Sequence, residues 1–392
     1  MLDQLQSQII KTIYFAGAQS IAEISMAIGK SIPIITKSIQ KLVVKNIIIS
    51  DGLRASTGGR RAAVYSINKD KIGNILTINM DRYSTTIALY NLLNKPISKS
   101  VKLITAYLDD EEIYASILKE AKKIVETHNK FPIFAIGITA PGFVDSYSGI
   151  NNSYSKESPL YNIAERLQNE LNINTYIEND SSAIAIAEQK FGQVRHTNHA
   201  LVINLTWGVG LGIIVDNQLF RGFNGFAGEF SHIPLADENK LCHSCGKKGC
   251  LEVEASLESA IEYIKECLDK GEASLLSTHA DREDRTELLD ALIQAYKHGD
   301  QLSIRAIKKM GFMLGKGIAT LIHILNPEKV IISGIGAIFG DILLPEIQSS
   351  IHIYCIPRLA KRTTIQISNL ENMQPIASAS IAMMQNKQLI NN

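Results

Sequence analysis

The chain is poor in the residues that make a protein easy to classify. Among 392 residues there is a single tryptophan, and aromatic residues make up only 6%. Five cysteines are too few to staple a chain of this length, which excludes a disulfide-built secreted scaffold. No apolar run approaches twenty residues, so a membrane-spanning helix is excluded. The polar opening Met1-Leu2-Asp3-Gln4 is not the start of a secretory leader, and the expectation is a cytoplasmic protein. Net charge is almost absent too, at +1, but that balance conceals a division. Residues 1–68 hold eight Lys or Arg against three Asp or Glu, a net +5, leaving about −4 for the remainder. A basic segment ahead of a near-neutral body is the charge pattern of a nucleic-acid-binding arm. What the chain does have is 45% hydrophobic residues over a length sufficient for two or three cores.

Residues 1–70 read as the arm. Leu5, Ile9, Ile10, Ile13 and Tyr14 recur at the spacing of an amphipathic helix, and a loop follows at 16–19. Ser20 is an N-cap for a short helix over 21–28, stopped by Gly29. Ser31 caps the next, with Pro33 in its first turn, and this helix runs to about Val44. It places Thr36, Lys37, Gln40 and Lys41 on its polar side and Ile35, Ile39 and Leu42 inward. Three helices with a tight Gly-containing turn make a helix-turn-helix whose third helix enters the major groove. Residues 47–50 and 62–67 then form a hairpin, and its tip, Thr57-Gly58-Gly59-Arg60-Arg61, is a basic wing suited to phosphates or the minor groove. A small helical interaction domain with a solvated basic face is the competing reading. Helix order, wing and charge together favour double-stranded DNA, with Thr36, Lys37, Gln40, Lys41, Arg60 and Arg61 as contacts.

Beyond residue 70 the pattern is α/β. Residues 75–80 and 85–90 look like a hairpin, with a third strand near 96–103, a helix over 110–128 and a buried strand over 133–138. The layout recurs from Leu201 to Val215, which implies two related lobes, 71–190 and 191–392, with a C-terminal helix that can return to the first. Asn179 and Asp180 end a strand and open a helix, the place where α/β folds present residues to ligands, although an Asp before Ser-Ser-Ala is also an ordinary helix cap. The glycine run Gly208, Gly210 and Gly212 fits either a phosphate-binding backbone or a tight hairpin, and Gly334-Ile335-Gly336 shares that ambiguity.

The densest chemistry lies in 228–252. Glu229 and His232 are followed, after a polar loop, by Cys242, Cys245, Cys250 and Glu252. Three thiols and an imidazole have the ligand count and softness of a closed tetrahedral zinc site, and Gly246 and Gly249 supply the tight turns such a loop needs. Free buried thiols or a disulfide are the alternatives, and His243 competes with His232 as fourth ligand.

These segments resemble the ROK family (repressor, open reading frame, kinase), whose lobes share the actin and hexokinase fold and whose repressors differ from its sugar kinases by an N-terminal winged helix. The resemblance rests on Glu178-Asn179-Asp180, on Gly228-Glu229 with His232, and on Cys245 to Glu252. It implies sugar contacts by Asn179, Asp180, Glu229, His232 and Glu252, and zinc ligation by His232, Cys242, Cys245 and Cys250. The family pattern has one residue between its first two cysteines. Here His243 and Ser244 intervene, which leaves Cys242 or His243 open as ligand. A ROK kinase also carries Asp-x-Gly-Gly-Thr after its first strand, whereas this chain reads Asn79-Met80-Asp81-Arg82-Tyr83-Ser84. The phosphate-approaching glycines and the magnesium-supporting carboxylate are gone, so the family's general base, Asp180, is expected to be vestigial. The expectation is therefore a sugar-responsive transcriptional repressor acting as a homo-oligomer, dimer or tetramer, with an ATP-dependent sugar kinase bearing a regulatory arm as the alternative. An acidic Asp180 beside the sugar would repel a phosphate there, which favours an unphosphorylated hexose, pentose or amino sugar.

Overall fold

The computed structural model describes residues 2–53, 62–69, 71, 73–128, 132–278, 284–371 and 373–386. Arg60 and Arg61, expected at the wing tip, lie outside the described residues.

The arm opens with α1 (Gln4–Ala16), β1 (Gln19–Ser20), α2 (Ile21–Ile28) and α3 (Ile32–Val44), followed by β2 (Ile48–Leu53) and β3 (Ala63–Ile67). Helix α2 starts where it does because Ser20 and Glu23 cap each other, with the Glu23 N–H donating to Ser20 Oγ and the Ser20 N–H to Glu23 Oε2. It stops at Gly29, which adopts φ +70°, a left-handed conformation that costs glycine least. Ser31 holds the N-cap position of α3 but makes no capping bond through its side chain. Ile35, Ile39 and Leu42 are buried as the pattern requires. The stretch expected as a loop contains β1, which pairs Gln19 with Tyr65 and Ser20 with Val64, completing a three-stranded wing sheet in the order β1-β3-β2. Two residues cannot show a period; that strand exists only through its partner.

The chain continues through β4 (Asn74–Met80), β5 (Ser84–Tyr90), β6 (Val101–Ile104), α4 (Asp110–Thr127), β7 (Ile133–Ala140), β8 (Val144–Asp145), β9 (Ile150–Asn151), α5 (Ile163–Leu171) and β10 (Thr175–Asn179). The third strand is shorter than 96–103, since Pro96 makes only an isolated bridge to Tyr90. Next come α6 (Asp180–Phe191), β11 (Ala200–Leu205), β12 (Val209–Val215), β13 (Gln218–Leu219), α7 (Glu252–Ala255), α8 (Leu257–Asp269), α9 (Arg285–Lys297) and α10 (Gln301–Leu325). Finally β14 (Lys329–Ser333), α11 (Gly340–Tyr354), α12 (Pro357–Ala360), β15 (Thr364–Ile367) and α13 (Met373–Gln385) close the chain.

Residue contacts divide the molecule into two compact units. One comprises residues 1–81, 85–180 and 374–392; the other comprises 82–84 and 181–373. Each contains a five-stranded sheet of the same design. The first runs β10-β7-β4-β5-β6 and the second β15-β14-β11-β12-β13, so in each the first strand of the sheet in chain order lies centrally, with an antiparallel neighbour on one side and parallel strands on the other. Central strands buried on both faces, such as β4 and β11, read as continuous apolar runs for this reason. Within the first unit the arm is tied down at two points: Tyr14 donates to Asn94 Oδ1 at 2.6 Å, and Lys11 Nζ to the Met384 carbonyl at 2.9 Å. Within the second, α10 packs on α11 through glycines. A Cβ on Gly315 would stand 2.7 Å from the Ile347 carbonyl and one on Gly311 3.1 Å from Leu343 Cδ2, while on another face of α10 one on Gly317 would stand 2.4 Å from Leu251 Cδ2. No helix among the described residues is long and apolar enough to cross a membrane.

Candidate functional site

The segment 228–252 folds into a compact knot in the second unit. Gly228, at φ +114°, is pressed against the Leu211 carbonyl and leads into a 3-10 turn, Phe230–His232, which presents Glu229 and His232 side by side. The chain then doubles back on itself through isolated bridges between Pro234 and Cys250 and between Leu241 and Lys248. Gly246 and Gly249, at φ +70° and +76°, make the turns between the cysteines. The Cys242 N–H donates to the Lys247 carbonyl at 2.7 Å, and the Gly246 N–H to the Cys242 carbonyl at 2.8 Å. This folding brings His232, Cys242, Cys245 and Cys250 together. Their ligand atoms all lie within 4.8 Å of one another, so a single metal ion can touch all four. Cys242 Sγ sits 3.8 Å from His232 Nδ1, and Cys245 Sγ sits 3.5 Å from Cys250 Sγ. Cys242 joins the group and His243 does not. Burial pushes the Cys250 thiol up to about 12, whereas the Lys247 N–H holds Cys245 below the ordinary thiol value. A bound metal overrides this balance, because it deprotonates a coordinating thiol outright.

The two carboxylates expected beside the imidazole are mounted on the same knot. Glu229 Oε2 lies 3.7 Å from His232 Nε2. Desolvation pushes the Glu229 carboxyl above the ordinary carboxylate range, His232 opposes that, and Glu252 adds to it; the interplay requires the three groups to be neighbours. Glu252 opens α7, and its Oε1 accepts the Ser244 hydroxyl at 2.5 Å. Its Oε2 faces Gly208, where a Cβ would stand only 3.1 Å away. Gly208 is thus bare where the carboxylate of Glu252 needs room, which gives one glycine of that run a steric role that its spacing did not disclose. Ser244 was equally hidden, although the unusual spacing of the first two cysteines, which it shares with His243, carried a signal.

Asn179 and Asp180 stand in the first unit, at the carboxyl end of β10, which pairs in parallel with β7. Asn179 Nδ2 donates to the Gly142 carbonyl at 3.0 Å. Asp180 is the first residue of α6.

The stretch 79–84 is committed to contacts of its own. Asn79 is buried, and its Oδ1 accepts the hydroxyls of Thr139, at 3.1 Å, and of Ser378. Residues 82–84 belong to the second unit, where Tyr83 meets the chain's single tryptophan, Trp207, edge to face with ring centroids 4.9 Å apart. The Tyr83 hydroxyl donates to Glu258 Oε2 at 2.8 Å, and the other oxygen of Glu258 pairs with Arg285 at 3.1 Å. Burial and the Glu258 charge raise the Tyr83 hydroxyl to about 12.

On α3, Lys37, Gln40 and Lys41 are exposed along one face. Thr36 is half-buried, and its hydroxyl donates to the Ile32 carbonyl at 2.8 Å.

A winged-helix arm, two sheets of one design, and a knot that gathers one histidine, three cysteines and two carboxylates define a sugar-kinase-like chain with a DNA-binding head. The ROK family model matches residues 82–385, and the chain belongs to the ROK family. It is 29% identical over 381 residues to the xylose repressor of Caldicellulosiruptor bescii, covering 96% of this chain and 94% of that one. It is also similar to a glucokinase of Halalkalibacterium halodurans, at 30% identity over 249 residues, 62% of this chain and 74% of that one. Among solved structures, a ROK family transcriptional regulator described as a homologue of the E. coli Mlc protein superposes with a TM-score of 0.77 at 26% identity, covering 97% of this chain and 96% of that one.

Proposed function

We propose that this protein is a sugar-responsive transcriptional repressor of carbohydrate-use genes, which binds double-stranded operator DNA as a dimer or tetramer in the cytoplasm and is released when sugar binds. The observation that carries the reading is the joining, in one chain, of a winged helix to a knot that sets Glu229, His232 and Glu252 beside three cysteines. Coverage of 96% of the chain by a xylose repressor supports it, against 62% by a glucokinase of the family.

Zinc is the metal that best suits His232, Cys242, Cys245 and Cys250, because the set is soft, four-membered and leaves no open position. In a tetrahedron with Zn–S bonds of about 2.3 Å, neighbouring sulfurs stand roughly 3.8 Å apart. The 3.5 Å between the Cys245 and Cys250 sulfurs lies near that edge, Cys242 Sγ stands 3.8 Å from His232 Nδ1, and all four ligand atoms lie within 4.8 Å of one another. The ion's part is structural: it fixes the loop on which Glu229, His232 and Glu252 face a sugar. Asn179 and Asp180 complete the proposed set of planar acceptors and donors that sugar hydroxyls require. An unphosphorylated hexose, pentose or amino sugar is the expected effector.

The kinase reading is disfavoured by the commitments of 79–84. Asn79 supplies an amide where a carboxylate is needed to support magnesium. Asp81 and Arg82 replace the two glycines that would let backbone N–H groups reach phosphates. A gel shift with the DNA upstream of its own gene, repeated with candidate sugars, tests the proposal. Retarded DNA that is released by one sugar is the expected result, whereas sugar-dependent ADP release, abolished by Asp180→Asn, would establish the kinase instead.

A further inference from the structure

The opening turn of α3 has a chemistry that the DNA-binding reading does not account for. Ile32 and Ile34 are 53% and 49% exposed, and Pro33 between them is exposed as well. Solvent-facing isoleucines are expensive to keep on a short helix that has apolar burial available. Their surroundings select one occupant. Lys37 and Lys41 follow at three and seven residues from Ile34, on the same side of the helix, and α3 carries no acidic residue. An apolar tip backed by cations on an acid-free helix is complementary to a polyanion that displays apolar groups in a groove, which is duplex DNA.

The hydrogen-bonding capacity of this turn narrows the assignment. From Ile32 to Thr36 the only side-chain hydroxyl is that of Thr36, and its proton is already given to the Ile32 carbonyl. The turn therefore has no free side-chain donor for the base edges, and Thr36 Oγ1 keeps only its acceptor lone pairs. The one base-edge feature in the major groove recognised by apolar contact is the C5-methyl group of thymine.

We propose that the first turn of α3 reads thymine methyls in the major groove, with Ile34 as the principal contact and Ile32 flanking it, so that each half-site carries A·T pairs at the positions under this turn. The inference rests on the DNA-binding reading above and specifies what that DNA displays. Lys37 and Lys41 then hold the register on the phosphates, which carry no sequence information themselves.

The test uses the full-length protein and a duplex enriched from a random pool by repeated binding. Thymines of that duplex are replaced one at a time by uracil, which removes the methyl and leaves every hydrogen-bonding group in place. Affinity should fall about fourfold at one or two positions per half-site, the equivalent of burying one methyl-sized group at ~0.8 kcal/mol. Ile34→Ala should weaken binding to the thymine duplex by a similar factor and no longer discriminate uracil from thymine at that position. The residue is exposed, so the variant keeps its fold, and the uracil series needs no variant at all. Equal affinity for all uracil-substituted duplexes, or undiminished discrimination by Ile34→Ala, overturns the inference while leaving DNA binding intact. Failure to enrich any duplex overturns the DNA-binding reading and this inference with it, and would turn the apolar turn into a protein-docking surface.

Discussion

Ser244 donates its hydroxyl proton to Glu252 across eight residues of the cysteine loop, at 2.5 Å. The bond joins one of the two residues between Cys242 and Cys245 to a carboxylate proposed to hold the sugar. Glu252 is thereby kept in one orientation from the metal side while Gly208 leaves it room on the other.

Ser244→Ala should weaken binding of the releasing sugar by about three- to tenfold, since a hydrogen bond to a charged group contributes on the order of 1 kcal/mol or somewhat more. Bound zinc should stay at one per chain. Calorimetric titration alongside metal analysis checks both; unchanged sugar affinity would mean that Glu252 is oriented by other contacts.

Cys245→Ser should abolish metal binding and sugar response together. Cys245 is the exposed member of the four, so the substitution costs little in packing, and its effect reports on ligation. Metal content by mass spectrometry and operator release by sugar are the paired readouts. Full sugar affinity in a metal-free variant would contradict the coupling.

Lys37→Ala should weaken operator binding and reduce the slope of log affinity against log salt by roughly 0.9, the signature of one lost phosphate contact. Sugar affinity should not move, because Lys37 is exposed on the arm.

Glu188 provides a pH-dependent stability test. It is completely buried, and desolvation pushes its carboxyl above the ordinary range, although the Ser368 hydroxyl and the Gln193 N–H pull it down. A carboxyl raised by folding contributes stability that is fully present below its unfolded value, near 4.5, and is lost as pH rises through the folded value. Above pH 4.5 the wild type should therefore lose stability relative to Glu188→Gln, by at most about 1.4 kcal/mol per pH unit. Urea midpoints of both proteins across pH 4.5–7 measure the difference, and parallel curves would show that Glu188 titrates normally.

Much of this molecule could be read from its residues because its strongest signals are local. Ser20, Glu23 and Gly29 fix both ends of α2 within ten positions, and three cysteines with their glycines mark the loop that gathers with His232 into a group able to hold a metal. What escaped depends on partners far away in the chain. The strand β1 exists only because Tyr65 and Val64 are there to pair with it. Tyr83 finds Trp207 and Glu258 across more than a hundred residues, which no periodicity encodes. The capping role expected of Ser31 failed differently: its position is right, yet its hydroxyl makes no capping bond.

The closeness of Gly317 to Leu251 means that the metal loop has a back wall. Leu251 lies between Cys250, a proposed metal ligand, and Glu252, a proposed sugar contact, so one extra methyl group on a helix more than sixty residues downstream would shove both at once. An inducer-blind allele could thus arise at a position that touches neither ion, carbohydrate nor operator, and a geneticist mapping it would find it in the middle of an ordinary-looking helix.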